Sequence, residues 1–519
     1  MISRQLIVWS KCLIMIGLTA NTTLSITQRH VFTTFSNAEM SLNGGCRMRE
    51  IRGGTFPKQH SQIQAHFTDT EWGQTDHTKT TPISSKQIGE EDETVEIAII
   101  GGGLAGLALA VGLSRAKIPF RLYEKAPKLR TFSQGMLVVE VNGLKALQSI
   151  HPDLPDKVLE SGALMKSIHS IAIDDSGIAT TREGNGIDEE RRLKYDGLAP
   201  VLIRWSALQN VLASFLPADS IVAGKSINAF EETDDNVIVR FDDGHFLKCN
   251  CLIGCDGTFS VVREQMLKSI DDRPVFFGQM NWNAIVPTDS LPVGLMNENQ
   301  VRVIMSSGNP RWSTFINDCG GGYTFWQLRV TDPNMSMQLS KSNGRGGLGL
   351  VGIKDTILDI VAASEDMQAV IQATPEAIIF ERAIVGRTVA SSWRSTRGRV
   401  TLVGDAAHGV HPVVGQGANL AFESVKYLID EIVNCTGDWK AGFESYENKR
   451  RKRVDLIQTY CNFVGCIQAT GSSTELSQSL RKEVTDWIHR CDLNEDPPNE
   501  MLELIKDFDL LAQPCVSLL

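Results

Sequence analysis

Sustained hydrophobic patterning begins in this chain only at Val95. Upstream, Asn21 to Ser85 mixes Ser, Thr, Gln and His with no lasting apolar period, and Met1 to Ala20 holds a single short apolar stretch, Cys12 to Leu18, behind Arg4 and Lys11. Met1 to Ala20 is too short and too charged to span a bilayer. Residues 1–92 read as a leader and unstructured segment. An organellar, plastid-directed transit peptide is the first expectation. A secretory, endomembrane signal or a start codon upstream of a cytoplasmic protein's true start are the open alternatives.

From Val95 the pattern changes. Val95-Glu96-Ile97-Ala98-Ile99-Ile100 is a nearly continuous apolar run of the kind buried in a parallel sheet, and Leu107 to Ala116 follows as a helix. Phe120 to Tyr123 predicts a second strand, and Cys251 to Gly254 and Val400 to Val403 two more. Asn281 to Val286 and Tyr323 to Val330 are strand-like and carry Trp282, Phe325 and Trp326, which either line a cleft or fill a sheet-to-helix core. Asn419 to Ile429 reads as a helix, and Met501 to Leu511 as a short amphipathic helix docked on the body. Strands alternating with helices place the chain in the α/β class.

Composition narrows the function. With 519 residues there is room for two or three domains, and 42% hydrophobic with 22% charged residues is the make-up of a soluble globular enzyme. A net charge of -10 leaves no basic face for nucleic acid. Of the 11 cysteines, only Cys249, Cys251 and Cys255 cluster; no second pair completes a tetrahedral metal site, so they read as reduced structural thiols. Tyr446 to Arg453 is a basic run on a helix, read as a solvated face, with peripheral contact to anionic lipid as a further expectation.

The first candidate chemistry stands at the end of the first strand, in Gly101-Gly102-Gly103-Leu104-Ala105-Gly106. Gly101 permits a tight turn, Gly103 lets backbone approach a pyrophosphate, and Gly106 lets the helix pack on the strand. Glu124, about twenty residues on, is placed for ribose hydroxyls. Gly344-Arg345-Gly346-Gly347-Leu348-Gly349 repeats the glycine spacing without the strand or the acid, and reads as a loop. Two further strands end in Gly254-Cys255-Asp256-Gly257-Thr258, leading to Arg263, and in Val403-Gly404-Asp405-Ala406-Ala407-His408. Asp405 is placed to hold a ribityl chain. Gly415, Gly417, Ala418 and Asn419 open a helix whose N–H groups suit the negative edge of a reduced flavin. His408 and His411 lack a third ligand for a metal, so both read as structural and no metal is expected; Pro412 is a candidate for shaping the flavin edge.

Together these motifs resemble the class A, single-component FAD-dependent monooxygenases, which include the salicylate and para-hydroxybenzoate hydroxylases and the zeaxanthin epoxidases. The resemblance covers roughly Glu93 to Gln458. It implies a Rossmann-like FAD-binding domain with an inserted mixed β-sheet substrate domain (para-hydroxybenzoate hydroxylase-like), plus C-terminal helices. In residues, the FAD-binding domain would cover 93–265 and 380–435, the substrate domain 266–379 with contributions from 151–200, and the terminal helices and tail 436–519. It also implies FAD contacts for Arg204, Asp405 and Ala418, a contact for Asp256 with both FAD and NAD(P)H, and a cofactor-covering loop at Gly135. NAD(P)H would reduce FAD, O₂ would add at the flavin C4a, and one oxygen atom would pass to a small apolar or aromatic substrate. Phe315 to Gly322, Phe325-Trp326-Gln327 and the spacing His408-Gly409-Val410-His411-Pro412 are similar to the zeaxanthin epoxidase branch, which sets epoxidation of a carotenoid-like polyene slightly ahead of aromatic hydroxylation. Gly417-Ala418-Asn419 follows the hydroxylase pattern. A halogenase, or a flavin redox sensor without catalysis, is the remoter reading.

Overall fold

A computed structural model describes residues 93–129, 135–174, 177–185, 197–269, 272–308, 310–343, 346–470 and 478–518. The leader segment 1–92 and the pair Gly344-Arg345 of the second glycine motif lie outside them.

Four strands, Ile221–Ala223, Phe120–Glu124, Glu93–Ile100 and Phe246–Gly254, lie side by side and parallel. Val400–Leu402 runs parallel to the last three residues of Phe246–Gly254, while Val237–Phe241 pairs antiparallel with its first half. All parallel strands therefore deliver their C-terminal ends to one edge, where open α/β sheets bind ligands. Their core residues, among them Ile97, Ile99, Leu122, Cys251 and Ile253, are buried, as continuous apolar runs require. Cys249, Cys251 and Cys255 are free thiols inside this core, and burial pushes each of them up.

The second sheet is mixed, in the order Gly347–Leu348, Phe380–Gly386, Val275–Pro287, Tyr323–Val330, Trp312–Asp318, Gln300–Ser306, Ser167–Ile173, Ala179–Asn185. Phe380–Gly386 belongs to it, so the crossing back to the nucleotide-binding sheet falls after Gly386 and not at the expected residue 380. Strand alternation separates the three aromatic residues left open by the sequence. Trp282 and Trp326 are 0% exposed and pack under the helices Ile353–Ile360 and Glu365–Ala373. Phe325 turns to the opposite face, with Ile285 and Cys319. A small third sheet, Met136–Val139, Val201–Arg204 and Ala163–Leu164, backs that face.

Helix Gly417–Asn434 starts two residues earlier than expected, and the 32-residue helix Trp439–Thr470 packs along it. The basic run is a solvated face only in part. Arg450 and Arg453 point inward and meet the buried Glu423 at 2.9 and 3.1 Å; Arg451 pairs with Glu447 and Asp455, and Lys449 with Glu431. A buried acid on the neighbouring helix captured charges that the run's own composition assigns to water, leaving Lys449 and Lys452 as the exposed cations of the segment. Among the described residues no helix is long and apolar enough to cross a membrane. Helix Asn499–Ile505 buries Met501 and Ile505 and docks on the long helix and on Gln478–Arg490.

Burial alone would raise the Glu423 pKa, but the guanidiniums of Arg453 and Arg450 outweigh it and bring it from 4.5 to about 2. A carboxyl depressed in the folded state stabilises fully above its unfolded pKa and loses that contribution as pH falls toward the folded value. Glu423→Gln leaves two buried arginines without their acid and is expected to cost about 3–5 kcal/mol at neutral pH. The gap in stability to the parent chain should narrow between about pH 4.5 and about pH 2. Urea melts of both proteins along that pH range check this; a gap independent of pH would remove Glu423 as the source of acid sensitivity.

Candidate functional site

The site forms where the parallel strands end. Gly101 takes φ +108, and a Cβ there would lie 2.5 Å from the Cys255 carbonyl oxygen; at Gly106 a Cβ would lie 2.0 Å from the Gly101 oxygen. Gly103 differs. Its φ is -72, and a Cβ would meet no atom within 4 Å. Two of the three glycines are thus required by protein packing, and the middle one opens on free space. Gly103 is the N-cap of helix Leu104–Arg115, with no side chain capping the helix and no acid in its first turn, so the N–H groups at Leu104 and Ala105 remain available to an anion. Gln209 fixes the loop from behind through Nε2 to the Gly102 oxygen at 2.8 Å. Glu124 accepts from Gly102 N at 2.6 Å and Ala126 N at 2.9 Å, which presents its carboxylate beside the same loop.

The two Asp-containing turns meet on the far side of this loop. Cys255 N donates to the Ile100 oxygen and Val403 N to the Gly254 oxygen, so the three strand ends are stitched in order. Gly257 (φ +82) opens on space, while Gly404 (φ +65) backs against the Ala105 methyl. The Asp256 carboxylate is taken up locally, accepting from Ser260 Oγ at 2.5 Å and Val262 N at 3.2 Å. It shapes the turn that carries Gly257. Burial raises its pKa, and the Ser260 and Val262 bonds oppose that. Asp405 reaches solvent through the cleft, accepts from Thr258 Oγ1 at 3.3 Å, and is raised by the protein enclosing the cleft.

Helix Gly417–Asn434 has Gln416 as N-cap, no capping side chain and no acid in its first turn, and Gly415 ahead of it takes φ +70. Gly417 lies beside Asp405, with 3.9 Å from its Cβ position to Oδ1, and Ala418 packs on the core. The side chain of Asn419 is spent on protein: Oδ1 accepts from Glu140 N, and Nδ2 donates to the Val138 and Gly415 oxygens. It ties the helix start to the segment that follows Gly135. Gly135 itself accepts from Trp205 N at 2.9 Å. The Arg204 guanidinium stacks on Tyr323 at 4.3 Å beside the glycine hairpin 320–322, with Nε unpartnered. His408 pairs with Ser424 and His411 with Gln279, in separate buried contacts, and burial depresses both rings. Among the described residues no cluster could hold a metal ion. Pro412 opens the short turn Pro412–Val414 between these histidines and the flavin-type helix.

Opposite the strand ends, the inner face of the mixed sheet is polar along its central strand. Asn281 and Asn283 alternate on Val275–Pro287, with Gln327 across from Asn283; Gln279 lies at a register irregularity earlier in the strand, and all four are buried. Gln279, Gln209, Thr258 and Gly404 were not singled out from sequence as contact residues. Their partners lie 107 to 147 residues away in the chain for Gln209, Gln279 and Thr258, and no local spacing announces such pairs.

A family model described as the FAD binding domain matches residues 94–311 and 354–459. The 3-amino-4-hydroxybenzoate 2-monooxygenase of Streptomyces cremeus is 28% identical over 407 residues, covering 78% of this chain and 94% of that protein. The chloroplastic zeaxanthin epoxidase of Spinacia oleracea is 26% identical over 412 residues, covering 74% of this chain and 55% of that protein. The crystal structure of Klebsiella pneumoniae HpxO complexed with FAD and uric acid aligns with a TM-score of 0.59 at 22% identity, over 81% of this chain and 97% of that one, a likeness of fold.

Gly103→Ala is expected to fold normally, since the backbone is unstrained and the methyl meets no atom, yet to lose bound flavin because that methyl takes the phosphate approach. Gly106→Ala should instead fail to fold, its methyl falling on the Gly101 oxygen. Melting curves and flavin absorbance of the purified proteins check the pair; a Gly103→Ala protein with full flavin content would falsify the phosphate seat.

Proposed function

The chain belongs to the FAD binding domain family and is an FAD-dependent monooxygenase, and we propose that it uses NAD(P)H and O₂ to hydroxylate a small polar aromatic substrate. Bound FAD supplies the redox chemistry: it takes electrons from the nicotinamide and activates oxygen. The chain's own residues bind and orient. Leu104 and Ala105 N–H groups hold the pyrophosphate, with Gly103 giving it room, and Glu124 accepts the ribose hydroxyls through the lone pairs left over from Gly102 and Ala126. Asp405, held by Thr258, takes the ribityl chain. The uncapped start of helix Gly417–Asn434 would set positive dipole toward the ring edge where negative charge accumulates on reduction. Asp256 and Asn419 act through the backbone they fix.

One fingerprint for a dinucleotide is complete, which favours transient docking of NAD(P)H at the flavin. The observation that carries the substrate reading is the inner face of the mixed sheet. Asn281 and Asn283, with Gln327 across from Asn283, give it a buried amide patch beside Ile285 and Phe325, whereas a polyene needs an apolar tunnel of its own length. This reverses the order in which the sequence ranked the two substrates. It agrees with the aromatic substrate named for the Streptomyces cremeus relative.

The purified chain, mixed under air with NADH or NADPH, is expected to convert 3-amino-4-hydroxybenzoate or salicylate to a product heavier by one oxygen atom, read by mass. Product from zeaxanthin and none from either aromatic acid would restore the epoxidase reading. Asp405→Ala should lower the flavin content at purification; content equal to the parent chain would refute the ribityl contact.

A further inference from the structure

The turn that carries Pro412 is gripped from two sides, and the first is the long helix Trp439–Thr470. Gly465 lies inside that helix, where glycine is less stable than alanine and calls for a packing reason. The His411 ring supplies it: a Cβ at Gly465 would lie 2.8 Å from Nδ1 and nearer still to Cγ and Cδ2. Gln458, Asn462 and Gly465 fall at i, i+4 and i+7, one stripe of the helix. Gln458 Nε2 donates to the Gly409 oxygen at 3.1 Å and Asn462 Oδ1 accepts from His411 N at 3.0 Å, so the stripe follows the chain from 409 to 411.

The second grip comes from the mixed sheet. At the register irregularity between Phe276 and Met280, Gly278 takes φ +66, and Gln279 leaves the ladder for the turn. It is 0% exposed. Val413 N donates to His411 Nδ1 at 3.1 Å, which leaves the ring proton on Nε2 and makes Gln279 Oε1, at 3.1 Å, its acceptor. Gln279 Nε2 then donates to the Gly465 oxygen at 3.0 Å. The reverse setting of the amide would face donor to donor and acceptor to acceptor, so each bond fixes the next. Phe277 packs edge-on against the ring at 4.7 Å, and burial, followed by the charge of Arg329, holds the ring well below its usual pKa.

We propose that Gln279 is a positioning residue for the flavin: through His411 and Gly465 it sets the turn Pro412–Val414 at a fixed place against the mixed sheet. An apolar side chain could fill the same volume, but apolar contacts let the turn slide, while hydrogen bonds in series admit one geometry. The turn runs into Gly415 and the N-cap Gln416, so its placement passes to the start of helix Gly417–Asn434. The proposal rests on the reading that this turn and helix start face the flavin edge.

Proton–nitrogen correlation spectra of the histidine-labelled, FAD-loaded protein, assigned with His411→Asn, should show the His411 proton on Nε2; a proton on Nδ1 overturns the series of bonds. Gln279→Leu should keep its flavin, shift the visible flavin band and slow anaerobic flavin reduction by NADPH about tenfold or more, as misplacement of a reacting group does, with the NADPH Kd unchanged. Gln279→Glu keeps the acceptor for His411 and loses the donor to Gly465. It should fall between Gln279→Leu and the parent, and it keeps the test usable if Gln279→Leu loses FAD. Ile371→Val, buried among the helices behind the sheet, should lower the melting temperature and leave the flavin band in place. The role falls if both Gln279 variants match the parent in band and reduction rate, or if Ile371→Val reproduces their changes. Pro412→Ala separates the proposal from the reading beneath it. If Pro412→Ala leaves the band unmoved, the turn does not face the flavin and that reading fails; if it moves the band while the Gln279 variants do not, the reading stands and the positioning role fails.

Discussion

Asp272 stands between two buried guanidiniums, and most of the site's geometry passes through that contact. Arg263, from the helix after the Asp256 turn, donates to Asp272 and to the carbonyl oxygens of Ala406, Ala407 and Thr388. Arg387, from the end of the mixed sheet, donates to the same Asp272 and to the Thr258 oxygen. One acid thus binds together both Asp-containing turns and the strand that leads from one sheet to the other. Its worth is positional more than energetic. A buried ion pair roughly breaks even against an apolar replacement, but losing one partner strands a charge. The consequence is that the turn carrying Asp405 cannot shift without moving the edge of the mixed sheet, so cofactor floor and substrate ceiling keep a fixed separation.

A second buried acid does the same for the helices. Glu423 receives Arg450 and Arg453 from the long helix and Asn142 from the segment after Gly135, while Asn142 also donates to Gln416, the N-cap of Gly417–Asn434. The start of that helix, whose free N–H groups face the cleft, is held by contacts about a turn further along it. Catalysis by preorganised dipoles needs such support, because a helix end that frays or tilts loses its effect within one turn.

The parts of this structure legible in the sequence share one property: their causes are local. Gly101, Gly103, Gly106 and Glu124 sit at the end of an apolar run and a fixed distance apart, so turn, open approach and close packing could each be assigned to a residue. The two Asp turns were legible for the same reason. What escaped depends on distant partners. Trp282 and Trp326 look no different from Phe325 until alternation is combined with knowledge of which face carries helices, since that sheet is buried on both sides. The inward turn of Arg450 and Arg453 is decided by Glu423 on another helix. The side-chain amide of Asn419 meets Glu140 and Val138, residues more than 270 positions away, which no local spacing announces. The boundary after Gly386 is set by pairing with Val275–Pro287, a contact across a hundred residues that composition does not record.

The polar residues of the mixed sheet belong to that second class, and their placement separates what holds the cofactor from what lines the cleft. Residues that would hold the cofactor lie on strand ends and helix starts bound together by Asp272 and Glu423, where a change in one propagates to the others. The cleft-facing residues lie on a sheet whose opposite face carries the apolar core. On a strand, alternate positions answer to different faces, so Asn281, Gln327, Arg329 or Arg382 can be exchanged without disturbing Met280, Trp282 or Leu328 behind them. Constraint is concentrated where FAD must sit and relaxed where substrate is chosen. The scaffold neutralises Arg263, Arg387, Arg450 and Arg453 internally, through Asp272 and Glu423, and so holds the cofactor side of the cleft rigid without drawing on the sheet opposite.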